Sequence, residues 1–324
     1  LKEIVFINKN AEIWRNYENL LSTPKNVDPD TLADTFVKLT DDLAYAQTYF
    51  PQSETERYLN ALALKTHQII YKNKKEHSNR FVQFWKFDFP QEMYLARKYI
   101  AYSFIIFAIS VLIGAVSAAH DQSFVRLVLG DDYVNMTLDN IAKGKPMAVY
   151  EEHDPFFMFV YIAFNNIKVS FLMYLMGLFT PISVAWLLFQ NGVMLGSFQY
   201  FFYQQNVLYE SVLSIWIHGT IEISAIVVAG ATGLLLGNSI LFPGTYSRKI
   251  SFIKGAKRSA YIIMGLFPII IFAAMLESFI TRYTNWPDWT RIAIIAGSLA
   301  FVAWYFFRYP AKLKNKALLE ANEE

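Results

Sequence analysis

Residues 218–244 read HGTIEISAIVVAGATGLLLGNSILFPG: a histidine and a glutamate one helical turn apart, then an apolar run closed by Pro243 and Gly244. A run of this length without Asp, Glu, Lys or Arg after Glu222 is long enough to cross the hydrocarbon core of a bilayer as a helix. Ala225, Ala229, Gly233 and Gly237 recur every four residues. That spacing forms one stripe of small side chains along which a second helix can approach backbone to backbone. His218 and Glu222, at i and i+4, share a face of the same helix. Ionisable groups within a span cost about 2.5–3.5 kcal/mol each on insertion scales, so these two are expected to face protein rather than lipid.

The rest of the chain agrees with a membrane setting. Of 324 residues, 54% are hydrophobic and only 17% charged, which is too apolar for an ordinary soluble domain. A formal net charge of +2 with interspersed signs gives no basic surface for nucleic acid, which is not expected as a partner. Cysteine is absent, which removes disulfides, thiolate metal sites and cysteine nucleophiles. Residues 1–98 carry no basic-then-apolar leader, so the first span is expected to act as the targeting signal.

The composition shifts near residue 98. Six apolar segments follow, at about 99–119, 156–178, 181–204, 217–241, 259–281 and 289–307. The fold expected is all-α and polytopic, with three parts: a helical head with an interfacial aromatic segment over 1–88, a transmembrane body over 89–310 and a basic-to-acidic tail over 311–324. In the head, Leu32, Phe36, Leu39, Leu43, Ala46 and Phe50 advance by four and three, placing them on one helix face. Asp28 followed by Pro29 marks the start of that helix, and Ser53 with Glu56 the start of the next, by the pattern of a capping box. An earlier helix carries Ile7, Ala11, Trp14, Tyr17 and Leu21. Three such faces predict a small bundle. The stretch FVQFWKFDFP, residues 81–90, is aromatic enough to lie at the headgroup boundary.

Lysine and arginine set the orientation. The 242–258 loop has Arg248, Lys249, Lys254, Lys257 and Arg258 with no acid, whereas 120–155 holds Asp121, Asp131, Asp132, Asp139, Glu151, Glu152 and Asp154. Both termini are therefore expected on the cytoplasmic side of a bacterial inner membrane. Walking this topology brings His218, Glu222, Glu277, Asn165, Asn166 and Lys168 to the outer half of the bilayer, with Asn191 on the third span beside Gly192 and Gly196. This set is expected to form a polar network, and Gly192, Gly196, Gly219, Ala225, Ala229, Gly233 and Gly237 a set of packing positions. Asn165, Asn166, Lys168 and Glu277 are the candidate partners of Glu222. The zincin pattern is absent and the spans hold no second histidine, so neither a metal nor any other cofactor is expected. No nucleophile or catalytic set is recognisable, and enzyme activity is not expected. His120 and His153 flank the acidic loop and read as solvated, and Asn135-Met136-Thr137 matches a glycosylation sequon by pattern alone.

Four ordered motifs carry a resemblance: NNxxV at Asn165–Val169, NGxxxG at Asn191–Gly196, HGxxE followed by AGATGLLLG at His218–Gly237, and ESFIT at Glu277–Thr281. Together, over about residues 90–310, they resemble the stage II sporulation protein M family. The resemblance implies an integral membrane protein and gives weight to Asn166, Gly192, His218, Gly219, Glu222, Gly237 and Glu277. The namesake organises peptidoglycan-degrading partners during engulfment. Relatives outside spore formers are often encoded beside MoxR-type ATPases, von Willebrand A-domain proteins and RDD-type membrane proteins. The helical head is an addition to the short sporulation members. The implied role is a scaffold or assembly subunit of an envelope complex, in contact with the bilayer and with other membrane or envelope proteins and open to homo-oligomerisation; a channel or transporter built on the polar cluster is the alternative.

The charge asymmetry yields a test. In this cysteine-free chain, Asp131→Cys should react with a membrane-impermeant thiol reagent on intact cells and Lys254→Cys should not; the opposite pattern inverts the orientation.

Overall fold

The computed structural model describes residues 2–22, 29–72, 80–150, 154–283 and 286–314. They form helices and no strand, in two compact units that divide between Arg80 and Phe81.

The first unit is the expected bundle: α1 (Glu3–Ser22), α2 (Pro29–Tyr49) and α3 (Glu54–Lys72). Its core is built from the face-forming positions, with Trp14, Leu21, Leu32, Leu39, Ala46, Leu59 and Leu62 buried. Ser53 accepts from the Glu56 amide at 3.2 Å, and the Glu56 carboxylate accepts from the Gln52 amide, so the start of α3 is capped from both directions. Trp14 satisfies its indole N–H on Asp42 at 2.8 Å. The Asp28 cap lies outside the described residues.

The second unit begins with α4 (Arg80–Gln83), a π-helical turn at Phe84–Asp88 and α5 (Phe89–Leu95). In the aromatic segment expected at the headgroup boundary, Phe81 and Phe87 are exposed, whereas Phe84 and Trp85 pack against this unit's core and Phe89 enters it; the compact units divide at residue 80. Phe89 is fully buried and stacks on Tyr305, whose hydroxyl donates to the Trp85 carbonyl at 2.8 Å. For Phe89, an aromatic partner far along the chain takes up surface that composition alone assigns to the membrane boundary. Glu92 on α5 pairs with Arg258 at 2.8 Å; burial raises its carboxyl, and the guanidinium offsets only part of that.

Six helices are long and apolar enough to cross a membrane: α6 (Arg97–His120), α9 (Pro155–Met176), α10 (Pro181–Gln204), α11 (Leu208–Leu241), α12 (Arg248–Met275, continued by a π-helical turn to Thr281) and α13 (Asp288–Val302, continuing to Lys314). Their starts follow local chemistry. Asp154 accepts from the amides of Phe156 and Phe157 with Pro155 behind it, and Thr180 does the same for Ile182 and Ser183 with Pro181 behind it.

The acid-rich 120–155 stretch folds further than its sequence suggests. It contains α7 (Gln122–Leu129) and α8 (Asp131–Ala142), which bury Val125, Val134 and Met147 against Phe201, Phe202 and Ile215 at the ends of α10 and α11. Within it, the sequon residue Thr137 is buried and bonds its own helix at Tyr133, and Asn135 accepts from Arg126, so this tripeptide is helix rather than an open glycosylation loop. His120 bonds back to the Val116 carbonyl at 2.8 Å; His153 lies outside the described residues.

The helix that contains HGTIE is the centre of the body, touched by α6, α9, α10, α12 and α13. It is buried almost continuously from Ser211 to Gly237. The small-residue stripe is where its neighbours come closest. Gly177 and Gly233 face one another so tightly that a Cβ on either would overlap backbone of the other helix, Gly237 lies against Pro181, and Ala225 and Ala229 are fully buried. Neighbouring serines then donate to backbone carbonyls of α11: Ser103 to Val227 at 2.7 Å, Ser259 to Thr232 at 2.9 Å and Ser251 to Ser239 at 2.7 Å. Such bonds replace the water that a bilayer interior lacks. The same close contact joins α6 and α10, where a Cβ on Gly192 or Gly196 would enter the α6 backbone at Phe107 and Val111. Gly219 differs: a Cβ there meets only an Ile215 methyl at 3.7 Å, so it is no close-packing glycine.

Gly196→Ala should therefore lower the thermal midpoint in detergent by the cost of overpacking, about 1–3 kcal/mol or more because the clash is with backbone. Gly297→Ala, with open space around it, should leave the midpoint unchanged or raised.

Candidate functional site

The site is built on two helices. His218 and Glu222 project from α11, and Glu277 from the π-helical turn that ends α12. A π-helical turn adds a residue to the helical repeat and rotates the following side chains out of phase, and such turns are frequent at functional positions. Here the wider turn lets the Thr281 hydroxyl donate to the Leu276 carbonyl at 3.3 Å. The same oxygen lies 3.0 Å from His218 Nδ1. With the Thr281 proton on Leu276, the imidazole proton sits on Nδ1 and Nε2 is the acceptor nitrogen. His218 Nε2 lies 3.7 Å from Glu277 Oε1. One ligand atom from each of His218, Glu222 and Glu277 lies within 4.8 Å of the other two.

Glu222 is held from a third helix, because the Asn166 side chain on α9 hydrogen-bonds to it. The four proposed partners of Glu222 thus separate. Asn166 and Glu277 reach it, whereas Asn165 and Lys168 are exposed on α9. At about 100° per residue, positions one before and two after Asn166 point away from its face. Asn191 lines the same cavity from α10 but gives its amide N–H to Leu187 of its own helix at 2.8 Å.

The cavity has a volume of about 370 Å3. Its walls include His218, Gly219, Glu222, Glu277 and Asn191, and its roof includes Val128, Leu129 and Tyr133 of α7 and α8. Burial pushes the Tyr133 phenol up to about 12, with the Thr137 hydroxyl opposing only part of the shift. Gly219 belongs here as a wall without a side chain, not to the packing stripe. Thr281 and Tyr133 were not singled out in the sequence. Thr281 stands inside the ESFIT motif, and only the π-helical turn reveals what it bonds.

These features define a polytopic helical membrane protein with a polar cluster among closely packed spans. A family model described as Stage II sporulation protein M matches residues 103–282, more than half of the 324-residue chain, and the match runs from α6 through the turn that bears Glu277. The chain belongs to that family. A second model, described as a domain of unknown function (DUF8413), matches residues 4–72, the three-helix bundle. Neither the search of curated proteins nor that of solved structures found a match.

Thr281→Val removes the hydroxyl between His218 and the Leu276 carbonyl while keeping the side-chain shape. A buried imidazole N–H without an acceptor costs about 1–3 kcal/mol. The variant should lose thermal stability by that order, and Thr281→Ser should recover most of it; equal stability of all three proteins would remove Thr281 from the site.

Proposed function

We propose that this protein is a scaffold, an assembly subunit of an envelope complex in the bacterial inner membrane, with both termini cytoplasmic and the α1–α3 bundle as a docking module for a cytoplasmic partner. The observation that carries the reading is the packing of the spans on α11, backbone against backbone at Gly177 and Gly233. The space that adjoins the polar cavity, about 880 Å3 along α6, α11 and α13, is walled mainly by Ile100, Phe104, Val111, Val227, Val228 and Phe306. Its hydroxyl groups Thr220 and Ser224 donate to carbonyls of their own helix, at 2.7 Å each. Besides these hydroxyls only Arg97 and Gln199 bring polar side chains to that mainly apolar space, so an ion leaving the cluster that way would find few groups to replace its hydration, which weighs against the channel or transporter reading. Backbone-to-backbone packing on α11 suits a rigid platform better than helices that must slide.

Partners of the MoxR-type ATPase or RDD-type membrane protein class fit this role, as does a second copy of the chain. Support for a docking head comes from its separateness: α1–α3 have a core of their own, and that core holds no cluster of chemically reactive side chains. Deleting residues 1–80 should leave a membrane-inserted, stable body and abolish co-purification of a cytoplasmic protein from native membranes. A truncated protein that retains every partner of the full chain removes the docking role from the bundle.

A further inference from the structure

We propose that His218, Glu222 and Glu277 form a binding site for one divalent first-row transition cation, a site that stands independently of the scaffold role. The donor set is the first argument. One imidazole nitrogen and two carboxylate oxygens are a combination that suits Zn2+, Mn2+ or Fe2+. The set also balances charge, since two carboxylates and a neutral imidazole cancel a +2 ion. A net-neutral assembly is the form that a buried, low-dielectric position tolerates.

Geometry is the second argument. Bonds of about 2.1 Å in a tetrahedral site place ligand atoms about 3.4 Å apart. His218 Nε2 and Glu277 Oε1 already stand at 3.7 Å, and all three ligand atoms lie within 4.8 Å of one another, so rotamer adjustments of about 1 Å complete the site.

The third argument is the outer support, which a mere cluster of acids lacks. Thr281 Oγ1 stands 3.0 Å from His218 Nδ1 while Nε2 faces Glu277, and Asn166 bonds Glu222 from α9. Fixing the tautomer of a ligand histidine through its other nitrogen, and bonding a ligand carboxylate, is how metal sites orient their donors. Two helices supply the donors and a third steadies one of them, and the cavity beside them leaves room for water or a small ligand in the remaining coordination position. The bound ion would cross-link α11 to the end of α12.

The test uses the full-length chain, purified in detergent with a tag free of histidine, stripped with a chelator and reloaded with Zn2+ or Co2+. Near-stoichiometric Zn2+ is expected by elemental analysis, with at least a ten-fold loss of affinity in each of His218→Ala, Glu222→Gln and Glu277→Gln. Retention of wild-type affinity by all three variants overturns the site. Because a substitution in a buried cluster can prevent folding, the wild-type chain is also read alone. Co2+ should give the strong visible absorption of a four- or five-coordinate ion, and Zn2+ should raise the thermal midpoint reversibly to chelator. A Co2+ spectrum like that of the hexa-aqua ion, together with an unmoved midpoint, overturns it equally.

Discussion

The close approach of neighbouring backbones to α11 is the constraint on which the rest of the body depends. In a bilayer interior the hydrophobic effect does little to drive helix against helix, so association rests on van der Waals contact and on satisfied polar groups. A stripe of Ala225, Ala229, Gly233 and Gly237 gives the first, and serines of α6 and α12 give the second by donating to α11 carbonyls. Once α9, α10 and α12 are seated against that stripe, the other half of α11 has a fixed orientation. His218 and Glu222 then face the end of α12 and the Asn166 edge of α9 without any local sequence having to specify it.

The cluster exists because two irregularities are superposed on this regular packing. The first is the π-helical turn at Leu276–Thr281, which sets Glu277 and Thr281 together against His218. The second is the α7–α8 cap. Its apolar positions Val125 and Val134 anchor it to Phe201, Phe202 and Ile215, and Tyr133 thereby comes to line the cavity.

Long apolar runs made the spans legible, because twenty residues without charge have few uses other than crossing a bilayer. Their ends were not. The helix of the fourth span begins at Leu208 and that of the fifth at Arg248, upstream of the apolar stretches at 217 and 259, because helix continues through Glu210, Ser211 and the basic stretch where hydropathy falls. The i, i+4 pair placed His218 and Glu222 on one face correctly, since a regular helix fixes that relation. Lys168 was a reasonable partner for Glu222 by topology, yet helical phase decides such matters, and phase between separate helices is invisible without their packing. Aromatic residues 84–89 show the same limit. Their composition fits a membrane surface, and only the position of Tyr305 reveals that Phe89 has a protein partner. In the same way, a metal motif with both donors on one helix would have shown in the sequence, whereas Glu277 comes from another helix and the shift of phase at its turn hides its register with Thr281.

The two ends of α11 carry separable tasks, and this bears on how the family's motifs should be read. Residues 225–237 are small because other backbones touch them, so their identity follows from steric need. Residues 218–222 are different, because neither His218 nor Glu222 is required for close packing and Gly219 meets no neighbouring backbone. A histidine and two carboxylates in an apolar setting are costly relative to well-packed aliphatic residues of similar volume. Apart from the bonds of His218 to Thr281 and of Glu222 to Asn166, helix packing gives little reason for HGTIE, since the glycine ladder below it already brings the backbones together. Some interaction that requires an imidazole opposite paired carboxylates is what accounts for the first half of the motif, and a bound cation is the one that satisfies both the charge and the geometry of the three side chains.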